Sequence, residues 1–278
     1  MNAFVIYCSP AGSTKHVAEV IAKTVAELGH APVMIDLCDT KSAVAVKTRI
    51  KEIRQDSLLF IGSPVYAFHA VPPVMEFIER LPGNGNGYSV PFVTWGAVTS
   101  GIALHEMGTL LYKKGFPVIG AAKIAAAHSL MWQFAHPLGE GRPDAGDDQK
   151  VEEMVKKIDA KLKAPSVRLV PPSELNYQPA EVYNAMSKLS IKAARQMLPQ
   201  RQIIKEKCTK CPVCSEICPV GAITLNPYPC FGDNCIVCYN CMRLCPEKAI
   251  AADFSPMEEW LKQKAKEFNE DAQSKIFI

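Results

Sequence analysis

Nine of the eleven cysteines of this chain lie between positions 208 and 245. Eight of the nine form two runs of one spacing: Cys208, Cys211, Cys214 and Cys218 before Pro219, then Cys235, Cys238, Cys241 and Cys245 before Pro246. Each run continues into a similar tail, Val220-Gly221-Ala222-Ile223 and Glu247-Lys248-Ala249-Ile250, as in a pseudo-twofold unit. Three thiolates two residues apart can wrap one face of an iron–sulfur cubane, while the fourth, three residues on, points away and ligates the other cluster. The spacing therefore predicts one 4Fe-4S cluster on Cys208, Cys211, Cys214 and Cys245, and a second on Cys235, Cys238, Cys241 and Cys218. Structural zinc is the plainer alternative, but zinc sites use pairs rather than triplets with a fourth cysteine before proline. The prolines fix φ and remove an amide donor, turning the chain away. Cys230 reads as a buried small apolar residue, and Cys8 and Cys38, in or just after strands, read as core.

A second candidate site lies at the other end of the chain. Ser9-Pro10-Ala11-Gly12-Ser13-Thr14-Lys15 joins a strand directly to a helix. Small residues let backbone amides approach an anion, the helix N-terminus adds partial positive charge, and Ser9, Ser13 and Thr14 offer hydroxyls. The loop lacks the glycine-to-lysine spacing of a Walker loop and the three glycines of a dinucleotide fingerprint. Two further strand ends, Gly62-Ser63-Pro64-Val65-Tyr66-Ala67-Phe68 and Trp95-Gly96-Ala97-Val98-Thr99-Ser100-Gly101, are expected to converge on the same pocket. Gly83-Asn84-Gly85-Asn86-Gly87 reads as a surface loop.

The elements that would position these groups follow from periodicity. Apolar strands at 3–8, 33–37, 58–62, 92–96 and 118–124 alternate with helical stretches, the pattern of βαβ units and a parallel sheet covered on both faces. Val17, Val20, Ile21, Thr24, Val25 and Leu28 make one helical stripe facing that sheet. Residues 125–145 form a long irregular stretch that could serve as a lid. Asp147 is expected to cap a helix to about Lys163. Prolines 165, 171, 172 and 179 then mark a connector, followed by a linker helix with Val182, Met186, Leu189 and Ala193 as its apolar stripe. Ser255, Pro256 and Glu258 open a final helix with Met257, Trp260, Leu261 and Phe268 inward. The expected division is 1–165, a connector at 166–202, the cysteine unit at 203–252, and a C-terminal helix at 253–278.

Over residues 203–252 the chain resembles bacterial dicluster ferredoxins, with all eight ligand positions filled. Over residues 1–160 it resembles flavodoxin-like domains. That second resemblance implies a doubly wound five-stranded parallel α/β sheet of order 2-1-3-4-5 with FMN at the switch point. It implies phosphate binding by Ser9, Ala11, Gly12, Ser13 and Thr14, and an isoalloxazine ring between Ser63, Pro64, Val65, Tyr66 and Trp95, Gly96, Ala97, Gly101, with Tyr66 or Trp95 stacking on it. Ala11 departs from the usual pattern, in which a threonine or serine often stands there. Joined, the halves resemble the flavodoxin and ferredoxin fusion proteins of anaerobic bacteria and archaea, and Gly141-Arg142-Pro143-Asp144 looks like one branch of that family, with a structural role.

The expected function is an iron–sulfur flavoprotein that passes electrons between two 4Fe-4S clusters and FMN, either as a flavin-dependent oxidoreductase or as a carrier between redox proteins. His128 and His136 are candidate proton donors to a substrate over the flavin, against the plainer reading of packing or surface histidines. Lys113, Lys114 and the basic linker helix would suit an acidic redox partner, against a solvated helix face; that partner would be a ferredoxin-type donor or an acceptor enzyme, and a small-molecule acceptor is also open. A net charge of +3 is too small to argue for nucleic acid, and 48% hydrophobic with 21% charged residues is ordinary for a globular protein. No apolar run reaches the roughly 18 residues of a spanning helix, and no basic segment precedes the short N-terminal apolar run, so the expected compartment is the cytoplasm. Closely spaced thiols there are metal ligands rather than disulfides.

Overall fold

The structure, a computed structural model, describes residues 2–39, 53, 57–83, 85 and 87–278. In chain order the first part comprises β1 (Ala3–Tyr7), α1 (Ser13–Glu27), β2 (Val33–Asp36), β3 (Leu58–Tyr66), β4 (His69–Ala70), α2 (Pro72–Glu79), β5 (Tyr88–Trp95), α3 (Ala103–Lys113), β6 (Ala121–Ala125) and α4 (Ala145–Lys163). Strands β2, β1, β3, β5 and β6 pair in that order and all in parallel, while β4 folds back on β3 as a two-residue hairpin. This is the doubly wound order expected from the sequence. Both faces are covered: α1 and α4 seal one with Val17, Ile21, Val25, Val151, Met154 and Ile158, and α2 and α3 seal the other with Val74, Ile78, Leu104 and Met107. Each fully buried aliphatic side chain of this kind contributes roughly 1.5–3 kcal/mol.

Strand β5 begins four residues ahead of the expected Phe92, because Pro91 lies inside it and hides the run. The ladder to β6 starts only at Phe92↔Ala122, so the missing N–H of Pro91 removes no bond on that side. Helix α4 is capped by Asp144 rather than Asp147: Asp144 accepts from the Asp147 amide, and Asp147 closes the capping box in return. Asp147 is buried and ion-paired to Arg142.

Beyond residue 170 lie α5 (Ala180–Met186), α6 (Ile191–Met197), β7 (Gln202–Ile203), α7 (Val213–Glu216), β8 (Ile223–Leu225), β9 (Pro229–Phe231), α8 (Asn240–Arg243), β10 (Ile250–Ala251), α9 (Met257–Phe268) and β11 (Lys275–Phe277). The expected linker helix is two short helices, broken where Ser190 caps the second through the Ala193 amide. Ala194, not Ala193, is the buried alanine. The final helix is capped at Pro256 rather than Ser255, and Trp260 is exposed rather than inward. The chain then returns to the first sheet, where β11 pairs antiparallel with β6. Among the described residues no helix is long and apolar enough to cross a membrane.

Candidate functional site

The cysteine repeat is a repeat of backbone as well as of residue type. Lys210 and Val237 hold equivalent places with φ of 62 and 51°, as do Gly221 and Lys248 with φ of 59 and 49°. The amide of Ala222 donates to Cys218 Sγ at 3.2 Å, and that of Ala249 to Cys245 Sγ at 3.3 Å. Two small sheets, β10 with β7 and β8 with β9, close the unit. Cys245 lines one cleft with Cys208, Cys211 and Cys214. Cys218 lies close enough to Cys238 and Cys241 for its charge to raise both thiols, although burial is the larger cause, pushing Cys238 up to about 12. The fourth cysteine of each run thus stands with the other run's triplet. Among the described residues no three side chains converge to grip a single ion, whereas a cubane is a larger body. Free thiols so buried stay protonated, so ionisation must come with the metal.

The repeats differ in setting. Cys235, Cys238 and Cys241 are buried, while Cys208 and Cys211 are half-buried. Arg201 donates to Cys235 Sγ at 3.2 Å and Cys241 Sγ at 3.7 Å, over the Phe231 ring at 4.0 Å. Cys230 is exposed, contrary to expectation: on the β8–β9 hairpin Pro229 points in, and the period-two alternation turns Cys230 out.

At the other end, Gly12 takes φ 97° and α1 starts at Ser13, whose first-turn amides have no intrahelical partner. Ser9 is spent locally, its hydroxyl accepting the Lys15 amide at 2.8 Å, and Thr14 turns inward to Thr94 at 2.8 Å. Ser13 and the backbone amides, with Ala11 between them, are what this loop offers an anion. Ser63 is buried and braces its turn, donating to Pro64 O and accepting from the Val71 amide. Ala67, Phe68 and Ala97 hold φ of 47, 77 and 57° beside Pro64, Val65 and Gly96. Three non-glycine residues in the left-handed region on two adjoining loops mark backbone held for a purpose. Gly101, at φ 62°, lets those loops touch, since a Cβ there would collide with the Phe68 carbonyl. Trp95 is a core side chain with Lys123 over its ring at 5.0 Å, not an open stacking face. Tyr66 lies in the field of Cys238 and Arg243, and burial raises its hydroxyl pKa.

The C-terminal half touches all three loops. Arg243 of α8 donates to the Pro10 carbonyl at 2.8 Å and to Asn240 Oδ1 at 2.8 Å, while its buried Nε has no partner. Phe68 meets Phe268 edge-on at 5.5 Å. Glu270 accepts from Thr99, from the Ser100 amide and hydroxyl, and from Lys123. The 125–145 segment is a wedge rather than a lid: Leu130, Met131, Trp132, Phe134 and Leu138 pack into the cysteine unit beside Val98. Trp132 lies 4.8 Å from Phe254 and 6.1 Å from Tyr239, with Arg243 over its ring at 5.7 Å. Burial pulls His128 down to about 4, and its Nδ1 accepts the Leu130 amide at 3.3 Å. It packs on Gly96, where a Cβ would lie 2.6 Å from its ring. His136 is surface-exposed beside Glu140.

Sequence reasoning missed Arg243, Arg201, Trp132 and Tyr239. The signal for two of them was asymmetry between the repeats: Arg243 stands where the first run has Glu216, and Tyr239 where it has Pro212.

The unsatisfied Arg243 Nε, the first-turn amides and the strained loops suit a flavin phosphate and ring, and the two exchanged sets of thiols suit two cubanes. The fold and site together are a doubly wound domain of flavodoxin-like strand order joined to a cysteine module suited to 4Fe-4S clusters. A model of the 4Fe-4S binding domain family matches residues 201–224. No curated protein matches the chain. Solved structures similar to it include a flavodoxin from the domain Archaea, at 21% identity and TM-score 0.44 over 59% of this chain and 100% of that one. A flavodiiron core from Synechocystis matches at 19% identity and TM-score 0.45, covering 59% of this chain and 36% of that one. The two-electron reduced flavodoxin of Megasphaera elsdenii matches at 19% identity and TM-score 0.40, over 56% and 98%.

Proposed function

We propose that this protein transfers electrons between redox partner proteins, with FMN on the loops at 9–14, 63–68 and 95–101. One cluster is held by Cys208, Cys211, Cys214 and Cys245, the other by Cys235, Cys238, Cys241 and Cys218. When bound, the clusters exchange single electrons and the flavin stores one or two. The observation that carries the reading is Arg243, which ties the second cysteine run to the phosphate loop at Pro10. Arg201 directs its guanidinium at two thiols of that run and favours their more negative, reduced state. Leu130, Met131, Trp132 and Phe134 exclude water between the modules. Cys208, Cys211 and Cys245 are half-buried, which leaves their cluster the more open of the two to a protein donor.

The carrier reading is preferred to a reductase acting on a small substrate because, of the two histidines considered as proton donors, His128 is buried and caps the Leu130 amide while His136 is on the surface beside Glu140. The test is an anaerobic spectrum with iron and flavin analysis, repeated after adding a nicotinamide nucleotide, a reduced ferredoxin and then dithionite. Flavin and iron–sulfur bands bleached by ferredoxin but not by the nucleotide fit the carrier; steady consumption of a small acceptor would make the protein a reductase. Flavin-free protein refutes the FMN half. Cys218→Ala is expected to cut iron from about eight to about four per chain, and unchanged iron refutes the ligand exchange.

A further inference from the structure

The fold also brings together the two cysteines that lie outside the cysteine unit. Cys8 follows β1 and Cys38 follows β2, neighbouring parallel strands. Their sulfurs stand 2.9 Å apart. Both positions are fixed by backbone: the Cys8 amide donates to Gly62 O at 3.1 Å, and the Cys38 amide donates to Asp36 Oδ1 at 2.8 Å. Closing to a bonded separation of about 2.05 Å is a movement of under about 1 Å. Cys8 is fully buried and Cys38 is half-buried, so the pair has one sealed and one open sulfur. Cys38 Sγ accepts the Ser9 amide at 3.0 Å, which links the pair to the anion loop.

We propose that Cys8 and Cys38 form a reversible dithiol and disulfide couple, a redox site separate from the cluster ligands. The open Cys38, as thiolate, attacks one sulfur of a low-molecular-weight disulfide of the glutathione class, forming a mixed disulfide and releasing one thiol. Cys8 then attacks the Cys38 sulfur, gives up its proton and expels the second thiol. The sum is two protein thiols plus one small disulfide giving one internal disulfide plus two small thiols. Two electrons and two protons leave the pair, and a small dithiol reverses the exchange. Because the Ser9 amide rests on Cys38, the bond also sets the position of the anion loop. The inference does not depend on the flavin.

Anaerobically isolated holoprotein is equilibrated in reduced and oxidised glutathione at a series of ratios, quenched in acid, alkylated and digested at lysine and arginine. The expected product under oxidising ratios is peptide 1–15 joined to peptide 24–41, lighter than their sum by two hydrogens and separated again by dithiothreitol. Cys230, being exposed, serves as the control that oxidant reached the protein. Both cysteines alkylated at every ratio overturn the proposal, as does a glutathione adduct confined to Cys38. Cys38→Ser is expected to abolish the joined peptide and keep the full iron content; loss of iron would show that the pair is not separate from the clusters.

Discussion

Replacing Arg243 by methionine removes the guanidinium that spans from α8 to the phosphate loop and lies over the Trp132 ring, while keeping an unbranched apolar stem. Two bonds go, to Pro10 O and Asn240 Oδ1, both at 2.8 Å, and so does the buried donor Nε that has no partner among the described residues. A charge-assisted hydrogen bond to an anion contributes about 1.5–3 kcal/mol. At 1.4 kcal/mol per tenfold, the dissociation constant for FMN should rise roughly 10- to 150-fold. Arg243→Lys should recover part of the loss, because an ammonium keeps the charge but not the fork. The assay is quenching of FMN fluorescence by flavin-free protein that retains its iron, with thermal unfolding followed in parallel. A methionine variant that binds FMN within twofold of the parent, while unfolding at lower temperature, would refute the reasoning and reduce Arg243 to a strut for Pro10.

Gly101→Ala sets a Cβ against the Phe68 carbonyl at a left-handed φ, which alone costs about 1–2 kcal/mol; lower flavin content and a lower melting temperature are expected in calorimetry. Arg201→Met withdraws a positive charge from Cys235 and Cys241, so redox titration should show one cluster potential moving down and the other unchanged. Burial alone would raise the carboxyls of Asp147 and Glu270, but bonds from Arg142 to the first and from Lys123 and Ser100 to the second bring both below their ordinary 3.8 and 4.5. The stability they add is therefore complete above those values and lost as pH falls through the lower folded ones; Asp147→Asn should remove about 3 kcal/mol at neutral pH and flatten the acid limb of a melting-temperature profile.

The sheet was legible in the sequence because its strands are covered on both faces and read as short apolar runs. The cysteine repeat was legible because its spacing recurs without a change, Cys208 to Cys218 and Cys235 to Cys245. Cys230 misled, since a thiol on a two-stranded hairpin obeys alternation rather than its usual preference for the core. Trp95 misled because its environment is set by Lys123, Tyr177 and Glu270, which are remote in sequence and meet only in the fold. His128 followed the same logic: proximity to Gly96 was foreseeable, but neutrality comes from burial by a segment with no periodicity of its own. Strand β11 escaped because three residues carry too little pattern to declare themselves, and their partner is the edge of β6, some 150 positions upstream.

Strand β11 also changes how the two redox modules are connected. The cysteine unit leaves the first sheet through one connection and comes back to it through another, so in topological terms it is a long insertion before the last strand rather than a tail on a leash. Swinging clear would require peeling β11 from β6, and dilution cannot separate the halves. Exchange between them is therefore a first-order event with a rate independent of protein concentration. A single proteolytic nick in the connector would leave the unit still attached through its return path.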